Sequence, residues 1–163
     1  MKKYIFALFL TFIGFSFAGC EKNQRSIMPF NNYMTNLYIH YVNNKGKNIL
    51  NKNSVVEVFY DDNGAMHKVD SPHLRFPNGY TFEYKDQNVI LKVFTSDFYS
   101  MRDRRIYSKT YVKLDGYPMD TFTCQLYADG GTLSVVRVWH NDNLVWEEGE
   151  ILYGTPRLIT IVK

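Results

Sequence analysis

Cysteine is nearly absent: the 163-residue chain has two, Cys20 and Cys124. That excludes a multi-disulfide framework and a cysteine-built zinc site. A strong excess of one charge is missing too, with 19 basic side chains against 16 acidic ones. Nucleic acid draws a clear basic excess, so no nucleic-acid partner is expected. There is no Gly-x-Ser-x-Gly elbow, no His-Glu-x-x-His and no phosphate-cradling glycine loop. No cofactor is therefore expected. Internal repeats, low-complexity tracts and a helical period of useful length are also lacking beyond the first residues.

What is present begins at the N-terminus. Met1-Lys2-Lys3 precedes an uncharged run from Tyr4 to Phe17, which is shorter than the roughly 20 apolar residues of a membrane span. A positive start, an apolar stretch and small residues after it mark a secretory signal. Phe17-Ala18-Gly19-Cys20 resembles the lipobox of bacterial lipoproteins, with Phe17 where Leu is usual. The resemblance implies cleavage before Cys20 and a diacylglycerol on its sulfur. Residues 1–19 are thus read as a lipoprotein signal peptide. Each buried methylene contributes about 0.8 kcal/mol, so two or three acyl chains hold a protein on a bilayer. No second apolar stretch of spanning length follows. Removing Lys2 and Lys3 leaves 19 − 2 = 17 basic groups against 16 acidic ones.

Residues 20–35 are the lipidated cysteine and a polar tether without steady period. From residue 36 to 163, β-rich runs alternate with turn residues. Leu37–Val42, Val55–Tyr60, Ala65–Val69, Tyr80–Tyr84, Val89–Phe94, Asp120–Tyr127, Thr132–His140 and Leu158–Val162 read as strands. With 13 Tyr and 12 Phe, composition favours sheet. The fold class is all-β: an antiparallel two-layer β-sandwich of about seven to nine strands, immunoglobulin-like. An up-and-down barrel is the alternative.

The C-terminal third fixes faces as well as strands. If Asp129-Gly130 is the centre of a hairpin turn, Leu126 faces Leu133 and Cys124 faces Val135. If Asn141-Asp142 is the centre of the next, Trp139 opposes Leu144 and Arg137 opposes Trp146. Alternation then gathers Phe122, Cys124, Leu126, Leu133, Val135, Trp139, Leu144 and Trp146 on one core face. Cys124 becomes an inert buried thiol, and both tryptophans pack inward rather than stacking on sugar.

The lipobox, the opening strand with its Asn43-Asn44-Lys45-Gly46 turn, and the stretch Val138 to Trp146 together resemble uncharacterised lipoproteins of the Bacteroidota. That resemblance implies an immunoglobulin-like or transthyretin-like sandwich on a tether, placed at the outer membrane of the cell envelope. It brings no catalytic residues.

Candidate sites are few. His67, Asp70 and His73 suggest a metal, but His67 and Asp70 point to opposite faces of a strand, so no metal site is expected. Asp61-Asp62-Asn63-Gly64 lacks the spacing and terminal Glu of a calcium loop and reads as a hairpin turn. Arg102, Arg104 and Arg105, with Asp103 among them, form a dense charge cluster that could clamp an anionic ligand. A solvated loop is the plainer reading. Glu147, Glu148 and Glu150 are the one candidate source of acid–base chemistry for a hydrolase. Two functions follow: a non-catalytic binding or assembly module meeting an envelope protein or glycan, or a hydrolase of envelope or other glycans. The module is the expectation, and the membrane is its first partner through Cys20.

Overall fold

The computed structural model describes residues 32–73, 75–96, 99–102, 105–149 and 157–163. Of these, 64% are strand and none is helix. The strands are β1 (Asn32–Met34), β2 (Asn36–Val42), β3 (Val56–Asp62), β4 (Ala65–Lys68), β5 (Tyr80–Lys85) and β6 (Asn88–Phe94). They continue with β7 (Tyr99–Arg102), β8 (Arg105–Leu114), β9 (Asp120–Asp129), β10 (Thr132–His140), β11 (Asn143–Glu147) and β12 (Leu158–Val162).

Two sheets form the sandwich, one of them curled into a half-barrel. The larger sheet runs β1-β10-β9-β8-β3-β4. Its three long strands, β8, β9 and β10, are flanked by shorter ones. β11 shares an edge of β10 with β1, and β7 shares an edge of β8 with β3. The smaller sheet runs β12-β2-β6-β5. β1–β10 and β12–β2 are parallel pairs, so both sheets are mixed where a wholly antiparallel sandwich was expected. The described residues hold more strands than expected because short flanking segments pair along exposed lengths of longer ones. Asn32–Met34, inside the segment expected as tether, is such a strand.

Strict alternation builds the core. Leu37, Ile39 and Tyr41 of β2, Leu91 and Val93 of β6, and Ile159 and Ile161 of β12 point inward from the smaller sheet. Val58, Val112, Phe122, Cys124, Val135 and Val138 meet them from the larger one. Polar ties cross between the layers. The Tyr60 hydroxyl donates to the Phe94 carbonyl at 3.0 Å, and the Ser96 N–H donates to Thr110 Oγ1 at 2.9 Å.

The C-terminal hairpins differ from the expected register. Asp129 pairs with Thr132, so Gly130 and Gly131 are the central turn residues, with φ of 51° and 80°. Two glycines meet the positive-φ demand of a type I′ turn better than Asp129 and Gly130 do. The resulting two-residue slip pairs Leu126 with Val135 and leaves both facing inward. A bulge then follows at Val136, since Val135 opposes Leu126 whereas Arg137 opposes Gln125. Arg157 Nε donates to the Val135 carbonyl at 3.1 Å, and the Glu148 N–H to the Val136 carbonyl at 2.9 Å. Those bonds satisfy the carbonyls that the bulge takes out of the ladder. The extra residue reverses facing, so Val138 turns inward and Trp139 outward.

Asn141-Asp142 is the centre of the second hairpin, and Trp139 does oppose Leu144. A bulge at Val145 then pairs Trp146 with Val138 and Glu147 with Arg137. Trp146 packs against the core, while Leu144 is 51% exposed. The core-face assignment therefore holds for Trp146 and fails for Trp139 and Leu144.

Candidate functional site

Two places gather polar and aromatic groups. The first lies between the sheets. Asp120, at the start of β9, is 1% exposed and accepts from three directions. The Tyr41 hydroxyl donates at 2.7 Å, Lys163 Nζ at 2.6 Å and His140 Nε2 at 2.7 Å. A carboxylate only accepts, so Nε2 is the protonated ring nitrogen in that contact. Lys163 lies 5.7 Å from the centre of the Tyr41 ring, and His140 stacks on Phe122. Burial, then the Asp120 charge and hydrogen bond, push the Tyr41 hydroxyl well above its ordinary range. Both Asp120 oxygens are engaged and closed to solvent, which leaves no reach to a reactant. The cluster is a tie between layers, joining β2 and the residue after β12 to β9 and β10.

The second place is the outward face of the larger sheet. Antiparallel partners share a face. One row therefore runs Tyr107–Gln125–Arg137–Glu147 across β8, β9, β10 and β11. The next runs Lys109–Thr123–Trp139–Leu144. The Tyr107 and Trp139 rings stand 6.3 Å apart, tilted by 46°. Thr123 and Gln125 stand on β9, between the two strands that carry the rings, and the Gln125 Oε1 is buried there without a donor among the described residues. Arg137 Nε and Nη2 both reach Glu147 Oε1 at 2.5 Å. Further along, the Tyr111 hydroxyl donates to Asp61 Oδ1 at 2.9 Å. Burial first, then Asp61, pushes it up to about 12.

The smaller sheet's outward face is occupied by its own cations. Lys92 pairs with Glu83 at 3.1 Å and sits 5.2 Å from the Tyr38 ring centre. Phe94 stacks on Phe76 at 4.8 Å, with Arg75 over Phe76.

Sequence candidates fall unevenly on this frame. Cys20, Arg104 and Glu150 lie outside the described residues, as does the side chain of Arg102. The two described members of the arginine cluster lie on strands. Arg102 ends β7, Arg105 opens β8, and the two are cross-strand partners in a hairpin. Ile106 packs against the core, so Arg105 faces outward beside Tyr107. Glu147 and Glu148 do not converge. Glu147 is held by Arg137 on the outward face, whereas Glu148 acts on Arg157, which is buried between the layers and 5.5 Å from the Trp146 ring centre. Burial pulls the Arg157 guanidinium below its ordinary value and Glu148 opposes that.

Asp61-Asp62-Asn63-Gly64 is the β3–β4 hairpin turn. Asp61 accepts from the Gly64 N–H at 3.2 Å as well as from Tyr111. No metal-ligand cluster occurs among the described residues. Cys124 is fully buried, and burial pushes its thiol up to about 12.

Sequence reasoning missed Tyr107, Lys109 and Trp139 as a group. A signal for the first two was present: Arg105, Tyr107, Lys109, Tyr111 and Lys113 alternate cation and aromatic at strand spacing. No known family, curated protein or solved structure matches this chain.

Proposed function

We propose that this chain is a lipid-anchored protein of the bacterial cell envelope whose sandwich is a non-catalytic glycan-binding module. Acyl chains on Cys20 hold it at the outer membrane, and the tether carries the domain clear of the headgroups. The observation that carries the binding reading is the partly exposed Tyr107–Trp139 pair on the outward face of the larger sheet, with Thr123 on the strand between the two rings. Aromatic faces pack against the C–H face of a pyranose, and short polar side chains meet its hydroxyls. Hydrolysis needs two carboxylates converging on one bond, and Glu147 and Glu148 serve different neighbours.

The full lipidated protein, extracted in non-ionic detergent, should bind glycans on an array. Trp139→Ala should lose that binding while keeping the β-sheet circular dichroism of the parent. Turnover of a bound glycan that Glu147→Gln abolishes would replace this reading with the hydrolase. Cys20→Ser should accumulate as a larger precursor. A mutant that still matured and stayed membrane-bound would contradict the anchor.

A further inference from the structure

β8 carries a ridge whose outward residues alternate in chemistry. Arg105, Tyr107, Lys109, Tyr111 and Lys113 all face away from the core. Its C-terminal half is already engaged. Tyr111 is bound to Asp61, Lys113 Nζ donates to the Tyr117 carbonyl at 2.6 Å, and Glu57 is the cross-strand neighbour of Lys113. The N-terminal half is different. Arg105 and Lys109 have no ion-pair or hydrogen-bond partner among the described residues. They bracket Tyr107, and Lys109 looks across Thr123 to Trp139. Lys109 and Trp139 are two strands, about 10 Å, apart, and Arg105 and Lys109 are about 13 Å apart along β8, so these groups fall within the span of two or three sugar rings. Within the two rows across β8 to β11, Glu147 is the only acid, and Arg137 already neutralises it. The chain as a whole is close to neutral, so a cationic strip around an aromatic pair is a local feature.

Building on the glycan-binding reading above, we infer that this face selects an anionic glycan. A pyranose ring packs against Tyr107 and Trp139, its carboxylate or sulfate ester is held by Lys109, its hydroxyls meet Thr123, and Arg105 meets the acid of a following sugar. A neutral sugar would leave both cations unused. Single-stranded nucleic acid also combines stacking with a basic track, but it needs a run of phosphate contacts, and two cations supply few. An anionic sugar needs one.

The test uses the full lipidated protein in non-ionic detergent micelles, titrated calorimetrically. The probes are an oligogalacturonate and its methyl ester, a dextran sulfate oligosaccharide and plain dextran of the same length, and an oligothymidylate. At least one acidic sugar should bind, and its neutral counterpart at least about tenfold more weakly. The two acidic arms separate carboxylate from sulfate recognition. Added salt should weaken the acidic complex. Lys109→Gln should cost about tenfold on the acid and leave the weak neutral binding unchanged, and Lys109→Arg should restore the acid. Because Lys109 lies on the surface, loss of fold does not confound that pair. Equal binding of neutral and acidic sugars, with Trp139→Ala still abolishing both, would overturn the anionic selectivity and leave the glycan module standing. Tighter binding of oligothymidylate than of either acid would overturn it in favour of nucleic acid. Binding of none of the probes, with Trp139→Ala indistinguishable from the parent on the array, would end both.

Discussion

Asp120 shows how much one side chain can hold. Its carboxylate is sealed between the layers, and three donors from β2, β10 and the residue after β12 converge on it. Removing one member of a buried charged set leaves the others uncompensated and costs about 3–5 kcal/mol. Asp120→Ala should lower the unfolding free energy by that order in a urea titration. A loss below about 1 kcal/mol would mean that water replaces the carboxylate.

Tyr111 and Tyr41 set the alkaline limit. Both hold their protons more tightly folded than unfolded. Above the ordinary value of 10.0 the folded protein therefore binds more protons than the unfolded one. The stability they contribute is complete below that pH and is lost as pH rises through the folded value, about 12 for Tyr111. Thermal melts taken from neutral to strongly alkaline pH should show this fall, and Tyr111→Phe should make it shallower. An unchanged profile in the mutant would contradict the upward push that burial and Asp61 give the Tyr111 hydroxyl. Residue-scale legibility was uneven for a physical reason. Cys124 was readable as buried because it lies in an unbroken alternation, Phe122-Thr123-Cys124-Gln125-Leu126. Trp139 was not, because a bulge at Val136 intervenes.

At the scale of elements, every strand read from apolar alternation and its bounding turns is present within a residue or two. The ten-residue β8 was missed. Its inward positions include Ser108 and Thr110, and its outward ones include Arg105, Lys109 and Lys113, so it lacks the apolar-polar contrast that marks a half-buried strand. The bulges at Val136 and Val145 also left no trace. The bulge at Val136 is accompanied by Arg157 and Glu148 reaching the carbonyls of Val135 and Val136, a tertiary fact absent from local pattern.

Turn chemistry yields a prediction at this scale. Asn141 and Asp142 both have positive φ, 46° and 68°. An ordinary L-residue there costs roughly 1–2 kcal/mol. Asp142→Gly should leave stability unchanged or raise it, whereas Asp142→Val should lower it by about that amount, measured by thermal unfolding. The reverse order would show that the Asp142 side chain contributes more than its backbone conformation.

For the whole molecule, the sandwich is the observed architecture, and the lipid at Cys20 and the ligand-facing surface are proposed on it. The architecture was legible because hydrophobic period and turn spacing are local. The surface was not, since its residues lie on four strands brought together by pairing. The central claim is that ligand meets the outward face of β8 to β11. Hydroxyl-radical footprinting of the full lipidated protein, with and without envelope polysaccharide, tests it most directly. Tyr107 and Trp139 should gain protection, along with Leu144 in the same row, while Tyr84 and Met66, which are exposed on β5 and β4, should not change. Protection confined to β4, β5 or β12, with Tyr107 and Trp139 unaffected, would contradict it.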